Sequence, residues 1–187
     1  NNLTSFLNDP KSSKLARYRI FDKSKTDAIV KLLSTTPGKV KDIKTSQSYR
    51  SPRPPFITSS LQQEASQKLG MSPDVAMSYA QQLFEGIDLE GLGSVGLITY
   101  MRTDSFSVTE TAMSTLRSYI KNKYGNEYLP DKPNTYKNKS RSQEAHECIR
   151  PTDVEMSPDK LKKLISDKLE RKDSLLRLYE IIWKRFV

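Results

Sequence analysis

The chain has 187 residues, and its 31 lysine and arginine residues outnumber 22 aspartate and glutamate residues, which gives a net charge of +9. A hydrophobic content of 35% is enough for one domain with a modest core, while no apolar run approaches the roughly 18 residues of a membrane span. The one cysteine excludes an internal disulfide, and the lack of a signal-peptide pattern leads us to expect a cytoplasmic protein. The excess positive charge favours a polyanionic partner such as nucleic acid.

Both ends of the sequence lead us to expect a segment cut from a longer protein. The chain opens on Asn1 with no initiator methionine, and it stops at Val187 inside an apolar pattern that has no helix stop signal. We therefore expect its function to be shared with parts outside this sequence.

The first 50 residues predict two strands with a helix between them. Residues 16–21 alternate between apolar and polar side chains as a strand does, and residues 39–49 do so weakly. Residues 24–27 can cap the intervening helix. The proline-rich stretch at residues 51–55 is a stiff linker, which we predict to be the domain boundary.

Two short helices are predicted to follow the linker. A capping box at Ser59 or Ser60 starts the first helix, and Gly70 ends it. Ser72 caps the second helix, which stops at Gly86. Two helices joined by about three residues with a glycine fit a helix-turn-helix, which either contacts DNA through its second helix or packs as scaffold.

The remaining elements are predicted from glycine, proline and capping residues. The glycine-rich residues 86–96 lack the ending of a phosphate-binding loop and indicate a flexible connector, after which residues 97–102 form a β-rich run. Residues 126–143 indicate a polar loop, and residues 144–150 a short helical turn. Three further helices are predicted to begin at Ser107, Ser157 and about Ser174.

Tyr100 and Arg102 form the first arrangement that could carry chemistry. On a strand the two side chains point the same way. A guanidinium beside a phenol favours the phenolate and can grip a phosphate with two hydrogen bonds, and tyrosine can form covalent intermediates. The pair therefore suits attack on a phosphodiester. An aromatic residue and a cation side by side on a sheet surface is the commoner arrangement, and spacing alone does not distinguish the two.

The second candidate is His146, the only histidine of the chain. The run His146-Glu147-Cys148-Ile149-Arg150 lacks a second histidine and has a single cysteine, which argues against a zinc site. Two interpretations stay open at this point. His146 is either a solvated or hydrogen-bonded side chain, or it serves in acid–base chemistry or phosphate contact.

Three stretches together resemble the type IA topoisomerases of bacteria. They are residues 55–65 (PFITSSLQQEA), residues 96–105 (GLITYMRTDS) and residues 143–152 (QEAHECIRPT), in the order and spacing of that family. The resemblance covers residues 51–187 well and residues 1–50 loosely. It implies a mostly helical α+β fold, in which residues 51–187 form a catabolite-activator-like helix-turn-helix gate domain. Residues 1–50 are then part of a β-rich arch domain.

The resemblance also implies roles for individual residues. Tyr100 corresponds to the nucleophile that becomes linked to the 5′ phosphate of a cleaved DNA strand. Arg102 is expected to hold the scissile phosphate and to stabilise charge in the transition state. His146 is expected to contact phosphate or to assist catalysis, and Arg150 to contact DNA. Cys148 stands where alanine is commoner in the family, and we expect little effect from this small residue.

The family's acidic Mg²⁺-binding domain has no counterpart here, because the sequence contains no Asp-x-Asp-x-Glu cluster. We therefore expect Mg²⁺ to be bound by a domain outside this chain, with no cofactor held within it. The expected partners are single-stranded DNA, negatively supercoiled duplex and the other domains of the parent enzyme, with no membrane partner. Alone, the chain is expected to bind DNA weakly and not to relax it. The alternatives are a non-catalytic helix-turn-helix DNA-binding module and a protein-interaction domain.

Overall fold

A computed structural model describes residues 20, 22–137, 146–167 and 169–187, and the chain divides into two compact units, residues 1–49 and 50–187. The described residues are mostly helical with one two-stranded antiparallel sheet, which confirms the predicted mostly helical class. No helix among them is long and apolar enough to cross a membrane.

The described part of the first unit contains one helix, α1 (Lys23–Thr35). It begins earlier than predicted, because the Asp22 carboxylate accepts a hydrogen bond from the Lys25 amide at 3.2 Å and so caps the first turn. The prediction of a strand over residues 39–49 is wrong, since these residues form no regular secondary structure. Val40 and Ile43 are three residues apart, which on a strand puts them on opposite faces and leaves no apolar face to bury. The predicted strand at residues 16–21 lies almost entirely outside the described residues.

The second unit contains five helices, two strands and a 3₁₀ turn in its described part. The elements are α2 (Thr58–Leu69), α3 (Pro73–Glu85), β1 (Ile87–Leu89), β2 (Gly93–Val95), α4 (Glu110–Tyr124), the 3₁₀ turn Asn126–Tyr128, α5 (Pro158–Leu164) and α6 (Lys172–Phe186).

Local capping explains where most of these helices begin and end. Ser72 accepts from the Val75 amide with Pro73 in the first turn of α3, and Gly70 ends α2 in the left-handed conformation, as predicted. Helix α2 begins at Thr58, one residue before the predicted cap, and the Ser60 hydroxyl accepts from the Ile57 amide at 3.0 Å.

Two other helix starts differ from their predicted positions. Thr109, and not Ser107, caps α4, because the Ser107 carbonyl accepts from the Cys148 amide at 2.9 Å and is held outside the helix. Helix α6 begins at Lys172, two residues before the predicted start, while Ser157 caps α5 as predicted.

The glycine-rich residues 86–96 form an ordered hairpin, so the prediction of a flexible connector is wrong. Strands β1 and β2 pair antiparallel, with Ile87 opposite Val95. Ile87 and Leu89 are buried while Asp88 is exposed, and this short alternation fixes the hairpin on the core.

The described residues of the second and third motif stretches (96–105 and 146–152) are extended but form only isolated β-bridges. Ile98 pairs with Pro151, and Ile149 pairs with Phe56. Residues 97–102 form no continuous strand, because Pro151 has no amide hydrogen with which to extend the ladder. The predicted helical turn is wrong over residues 146–150, because the residue before a proline is driven away from helical geometry. Residues 144–145 lie outside the described residues.

Helix α6 supplies the centre of the core. Tyr179 is fully buried, and its hydroxyl donates to the Met156 carbonyl at 2.6 Å. Burial raises the pKa of this phenol. The Trp183 indole donates to the Val154 carbonyl at 2.9 Å, so the two aromatic residues tie α6 to the segment that precedes α5. This packing provides the rigid base for the segments described next.

Candidate functional site

The side chains of residues 100–105 alternate between solvent and core. The exposed residues are Tyr100, Arg102 and Asp104, and the buried ones are Met101, Thr103 and Ser105. Tyr100 and Arg102 therefore both face solvent, although the segment is not a regular strand. Tyr100 is 43% exposed, so this residue is not enclosed in the interior.

Thr58, at the start of α2, fixes the backbone that follows Tyr100. Its hydroxyl donates to the Met101 carbonyl at 2.8 Å and accepts from the Thr103 amide at 2.9 Å. Its own amide donates to the Thr103 carbonyl at 2.9 Å. The segment that carries Arg102 is thus bound on both sides to one threonine of the helix.

Thr99 fixes the backbone that precedes Tyr100 and attaches it to the histidine motif. The Thr99 amide donates to the Arg150 carbonyl at 2.9 Å, and the Thr99 hydroxyl donates to the Cys148 carbonyl at 2.7 Å. The same hydroxyl accepts from the Arg150 amide at 3.0 Å. Tyr100 therefore lies between two residues whose backbones are held by other parts of the fold.

The end of α3 holds the Tyr100 ring itself. The rings of Phe84 and Tyr100 meet edge to face, with centroids 5.3 Å apart. The Leu97 amide donates to the Leu83 carbonyl at 2.7 Å, and a Cβ on Gly96 would stand 2.7 Å from the Phe84 carbonyl oxygen. The absence of a side chain at Gly96 lets the segment approach α3 this closely, which brings Tyr100 to Phe84.

Arg102 and His146 line one cleft at the N-terminus of α2. The cleft has a volume of 510 Å³. It is also lined by Thr58, Ser59, Gln62 and Asp104. A helix N-terminus, a guanidinium and an imidazole all favour an anion at this position, whereas the Asp104 carboxylate opposes one. Tyr100 and Arg150 do not line this cleft within the described part of the chain.

Arg150 is held by protein groups. Its guanidinium donates to the Glu147 carboxylate at 2.7 Å and to the Pro151 carbonyl at 2.9 Å, and its side chain is 13% exposed. Burial by itself would raise the pKa of Glu147, but the hydrogen bonds from Arg150 and from the Thr109 amide outweigh it and hold that pKa below its ordinary value. This pair joins the histidine motif to the cap of α4, and it leaves little of the guanidinium open to DNA.

Cys148 is fully buried, and burial raises the pKa of its thiol to about 12. The thiol is therefore protonated at neutral pH and is a poor nucleophile and metal ligand. Among the described residues no group of three histidine, cysteine or acidic side chains could hold a metal ion. The described side chains therefore do not form a site that fits Mg²⁺.

Sequence reasoning selected Tyr100, Arg102, His146 and Arg150 as site residues, and the structure brings Arg102 and His146 together in one cleft. Sequence reasoning missed Thr58, Thr99 and Phe84. The two threonines lie inside the first two motif stretches, and that position is the signal that could have identified them. Nothing in the sequence around Phe84 indicates its contact with Tyr100.

The known proteins to which this chain is similar are named as DNA topoisomerases. A family model described as DNA topoisomerase matches residues 2–187. A protein of Rickettsia felis named DNA topoisomerase 1 is 43% identical over 185 residues, which is 98% of this chain and 23% of that protein. The DNA topoisomerase 1 of Xylella fastidiosa is 48% identical over 149 residues, or 79% of this chain and 18% of that protein.

A solved structure is similar over nearly the whole chain. The full-length topoisomerase I of Thermotoga maritima has a TM-score of 0.68 and 37% sequence identity, covering 95% of this chain and 26% of its own. The chain spans about a quarter or less of the length of each of these relatives.

Proposed function

Since the chain belongs to the family of type IA DNA topoisomerases, we propose that it supplies the nucleophilic tyrosine of a bacterial enzyme that cleaves and reseals single DNA strands. The parent enzyme is about four times as long as this segment in its relatives, so the activity is proposed for the whole protein. Strand passage through the transient break then changes the linking of the DNA.

The proposed reaction is a transesterification at phosphorus. The Tyr100 phenol oxygen attacks the scissile phosphate and loses its proton, a tyrosine–phosphate ester forms at the 5′ end, and the bond from phosphorus to the 3′ oxygen breaks. The 3′ oxygen leaves as a hydroxyl after gaining a proton. The ester conserves the bond energy, so religation by the 3′ hydroxyl needs no ATP.

The observation that carries this proposal is the exposure of Tyr100 on a segment with a fixed backbone. Tyr100 is 43% exposed, while Thr58 binds the following residue, Met101, and Arg150 binds the preceding residue, Thr99. An exposed but positioned nucleophile suits a substrate that arrives from solvent, because positioning removes much of the entropic cost of attack.

Arg102 and His146 are proposed to receive the DNA backbone in the cleft they share. Arg102 holds the scissile phosphate and stabilises the charge that develops on it, and His146 contacts phosphate or assists catalysis. The cleft lined by both side chains supports this division of roles. For Arg150 we now favour a positioning role over DNA contact, because its guanidinium binds Glu147 and Pro151.

Other parts of the parent enzyme are proposed to complete the site. Mg²⁺ is then bound by an acidic domain outside the described residues, and this segment alone neither relaxes DNA nor binds it tightly. The substrates are single-stranded segments and negatively supercoiled duplex. We place the enzyme on the bacterial nucleoid in the cytoplasm, and we assign residues 51–187 to a gate domain and residues 1–50 to an arch.

The proposal is tested in the parent enzyme by replacing Tyr100 with phenylalanine. With Mg²⁺ and a single-stranded oligonucleotide labelled at its 3′ end, the unaltered enzyme should become covalently labelled, and Tyr100→Phe should not. Tyr124→Phe is the matched control, since Tyr124 is 42% exposed and Tyr100 is 43% exposed. Labelled protein with Tyr100→Phe, or transfer of a label from the 5′ end, would contradict the assignment.

A non-catalytic helix-turn-helix module is the second candidate. Helices α2 and α3 are joined by a short turn at Gly70, as that motif requires. Helix α3 would be the recognition helix, yet it contains Asp74 and Glu85 and no lysine or arginine. A helix of this charge is poorly suited to approach phosphates, so we favour a packing role for the pair, and the catabolite-activator-like fold stays a prediction.

A further inference from the structure

The cleft that contains Arg102 is lined by polar side chains that the fold itself does not use. Two lining threonines are already bonded, since the Thr58 hydroxyl donates to the Met101 carbonyl at 2.8 Å and the Thr103 hydroxyl accepts from the Ser105 amide at 3.0 Å. Within the described part of the chain, no hydrogen bond or ion pair involves the other five polar side chains of the lining, which are Ser59, Gln62, Arg102, Asp104 and His146. These groups are available to a ligand.

The backbone brings these free groups to defined positions. Ser59 and Gln62 are three residues apart on α2 and are therefore neighbours on the helix surface. Arg102 and Asp104 are two residues apart on the alternating segment, and both are exposed on its solvent side. Thr58 joins that segment to the start of α2. The cleft volume of 510 Å³ lies within the range of about 300–1,000 Å³ that is typical of small-molecule pockets.

Asp104 is the residue that a site for phosphate alone does not explain. Its carboxylate opposes an anion, and it forms no ion pair with Arg102 in the structure that would offset this effect. A carboxylate only accepts hydrogen bonds, so its preferred ligand presents N–H or O–H donors. A ligand that suits both Arg102 and Asp104 therefore carries an anionic group and, beside it, hydrogen-bond donors. A nucleotide has both, in its phosphate and in its base.

We propose that this cleft recognises a base next to the scissile phosphate, with Asp104 and Gln62 as specificity-determining residues. The inference rests on the proposed function, because it takes Arg102 to hold that phosphate. In a single strand the hydrogen-bonding edge of each base is open. Asp104 accepts from the base, while the Gln62 amide and the Ser59 hydroxyl each donate or accept. Contacts to phosphate position a strand and contacts to bases specify its sequence, so the cleft does both.

The acceptor character of Asp104 predicts which base is preferred. Guanine presents two adjacent donors, its ring N–H and its amino group, which one carboxylate can accept side by side. Adenine and cytosine present an amino group beside a ring nitrogen that accepts. Thymine presents one N–H between two carbonyl oxygens, which a carboxylate repels. At one of the two positions that flank the cut, guanine should therefore be the most favoured base and thymine the least.

The test maps cleavage sites of the parent enzyme on single-stranded DNA of mixed sequence. The DNA is labelled at its 5′ end, the reaction with Mg²⁺ is stopped in SDS, and each cut is located to the nucleotide on a denaturing gel. The frequency of each base at the two flanking positions is compared with the composition of the strand. Asp104→Asn replaces the carboxylate with an amide that can also donate to thymine. It should lower the ratio of guanine to thymine at the recognised position by about fivefold or more.

Asp88→Asn is the matched control for this change. Asp88 is also exposed and, in the described part of the chain, has no ion pair, but it does not line the cleft. Both substitutions remove one negative charge, and Asp88→Asn should leave the base frequencies unchanged. Gln62→Ala should weaken the preference at the same position as Asp104→Asn. Its control is Gln63→Ala, since Gln63 is the next residue of α2 and does not line this cleft.

Equal use of the four bases at both flanking positions by the unaltered enzyme overturns the proposal. Base frequencies that stay the same with Asp104→Asn also overturn it, and if that variant cuts too rarely to be mapped, Gln62→Ala decides by the same criterion. In these cases the cuts still depend on Tyr100. Failure of the proposed function would instead appear as cuts and covalent labelling of the parent enzyme that persist with Tyr100→Phe.

Discussion

The ring of Phe84 meets the ring of Tyr100 edge to face, with centroids 5.3 Å apart and planes inclined at 68°. Both rings are partly exposed, at 39% for Phe84 and 43% for Tyr100, so the contact lies at the surface and contributes little to the core. Its effect is to restrict the directions that the phenol can take. Phe84 is therefore a positioning residue for the proposed nucleophile.

Replacing Phe84 with alanine should slow formation of the covalent adduct without unfolding the protein. An edge-to-face pair contributes about 0.5–1.5 kcal/mol, which corresponds to a roughly two- to tenfold lower rate. The rate is measured in the parent enzyme under single-turnover conditions with saturating oligonucleotide. Phe84→Tyr keeps the ring and should restore the rate, and an unchanged rate with Phe84→Ala would remove the positioning role.

Replacing Thr58 with valine should destabilise the segment that carries Arg102. The change removes the hydroxyl that donates to Met101 and leaves the Thr103 amide without that acceptor. A buried polar group that loses its partner costs about 1–3 kcal/mol. Urea unfolding followed by the fluorescence of Trp183 measures the loss, and Thr58→Ser, which keeps the hydroxyl, should recover most of it. Equal stability of Thr58→Val and the unaltered chain contradicts the proposed role.

Cys148 should resist alkylation in the folded chain. Its side chain is fully buried, so the alkylating reagent cannot reach the sulfur. Its pKa is raised to about 12, so almost none of the thiol is in the reactive thiolate form near pH 8. Iodoacetamide labelling followed by mass spectrometry should show little modification in buffer and complete modification in denaturant. Rapid labelling of the native chain would show that the extended segment next to His146 opens readily.

Sequence reasoning predicted those features that depend on neighbouring residues. Ser72 and Ser157 cap α3 and α5, and Gly70 ends α2, because these capping interactions involve residues at most five positions away. Two of the errors occurred where distant residues decide the structure. Residues 97–102 form no strand because their partner segment contains Pro151, and the hairpin over residues 86–96 depends on burial of its alternate residues.

The residues of the candidate site also divide into those that the sequence identifies and those that only the fold reveals. Tyr100, Arg102 and His146 were found because they belong to contiguous motifs that resemble a known family. Thr58 acts on residues 43–45 positions away, and Thr99 on residues 49–51 positions away. Spacing along the chain contains no information about such contacts, so they became visible only with the fold.

Replacing Glu147 with glutamine should destabilise the chain at neutral pH and have a smaller effect in acid. Burial raises the pKa of Glu147, but hydrogen bonds from Arg150 and Thr109 lower it further, so the folded value lies below the ordinary 4.5. A carboxylate with a depressed pKa contributes stability above its unfolded pKa, and that contribution disappears as the pH falls through the folded value.

The free energy of unfolding is therefore compared for Glu147→Gln and the unaltered chain at pH 7 and at successively lower pH. The difference between them should be largest at pH 7 and should shrink as the pH falls below 4.5. Glu155→Gln is the control, since Glu155 is exposed and has no ion pair among the described residues. A difference that stays constant from pH 7 into acid would mean that Glu147 contributes by packing, because packing does not depend on the charge of the carboxyl group.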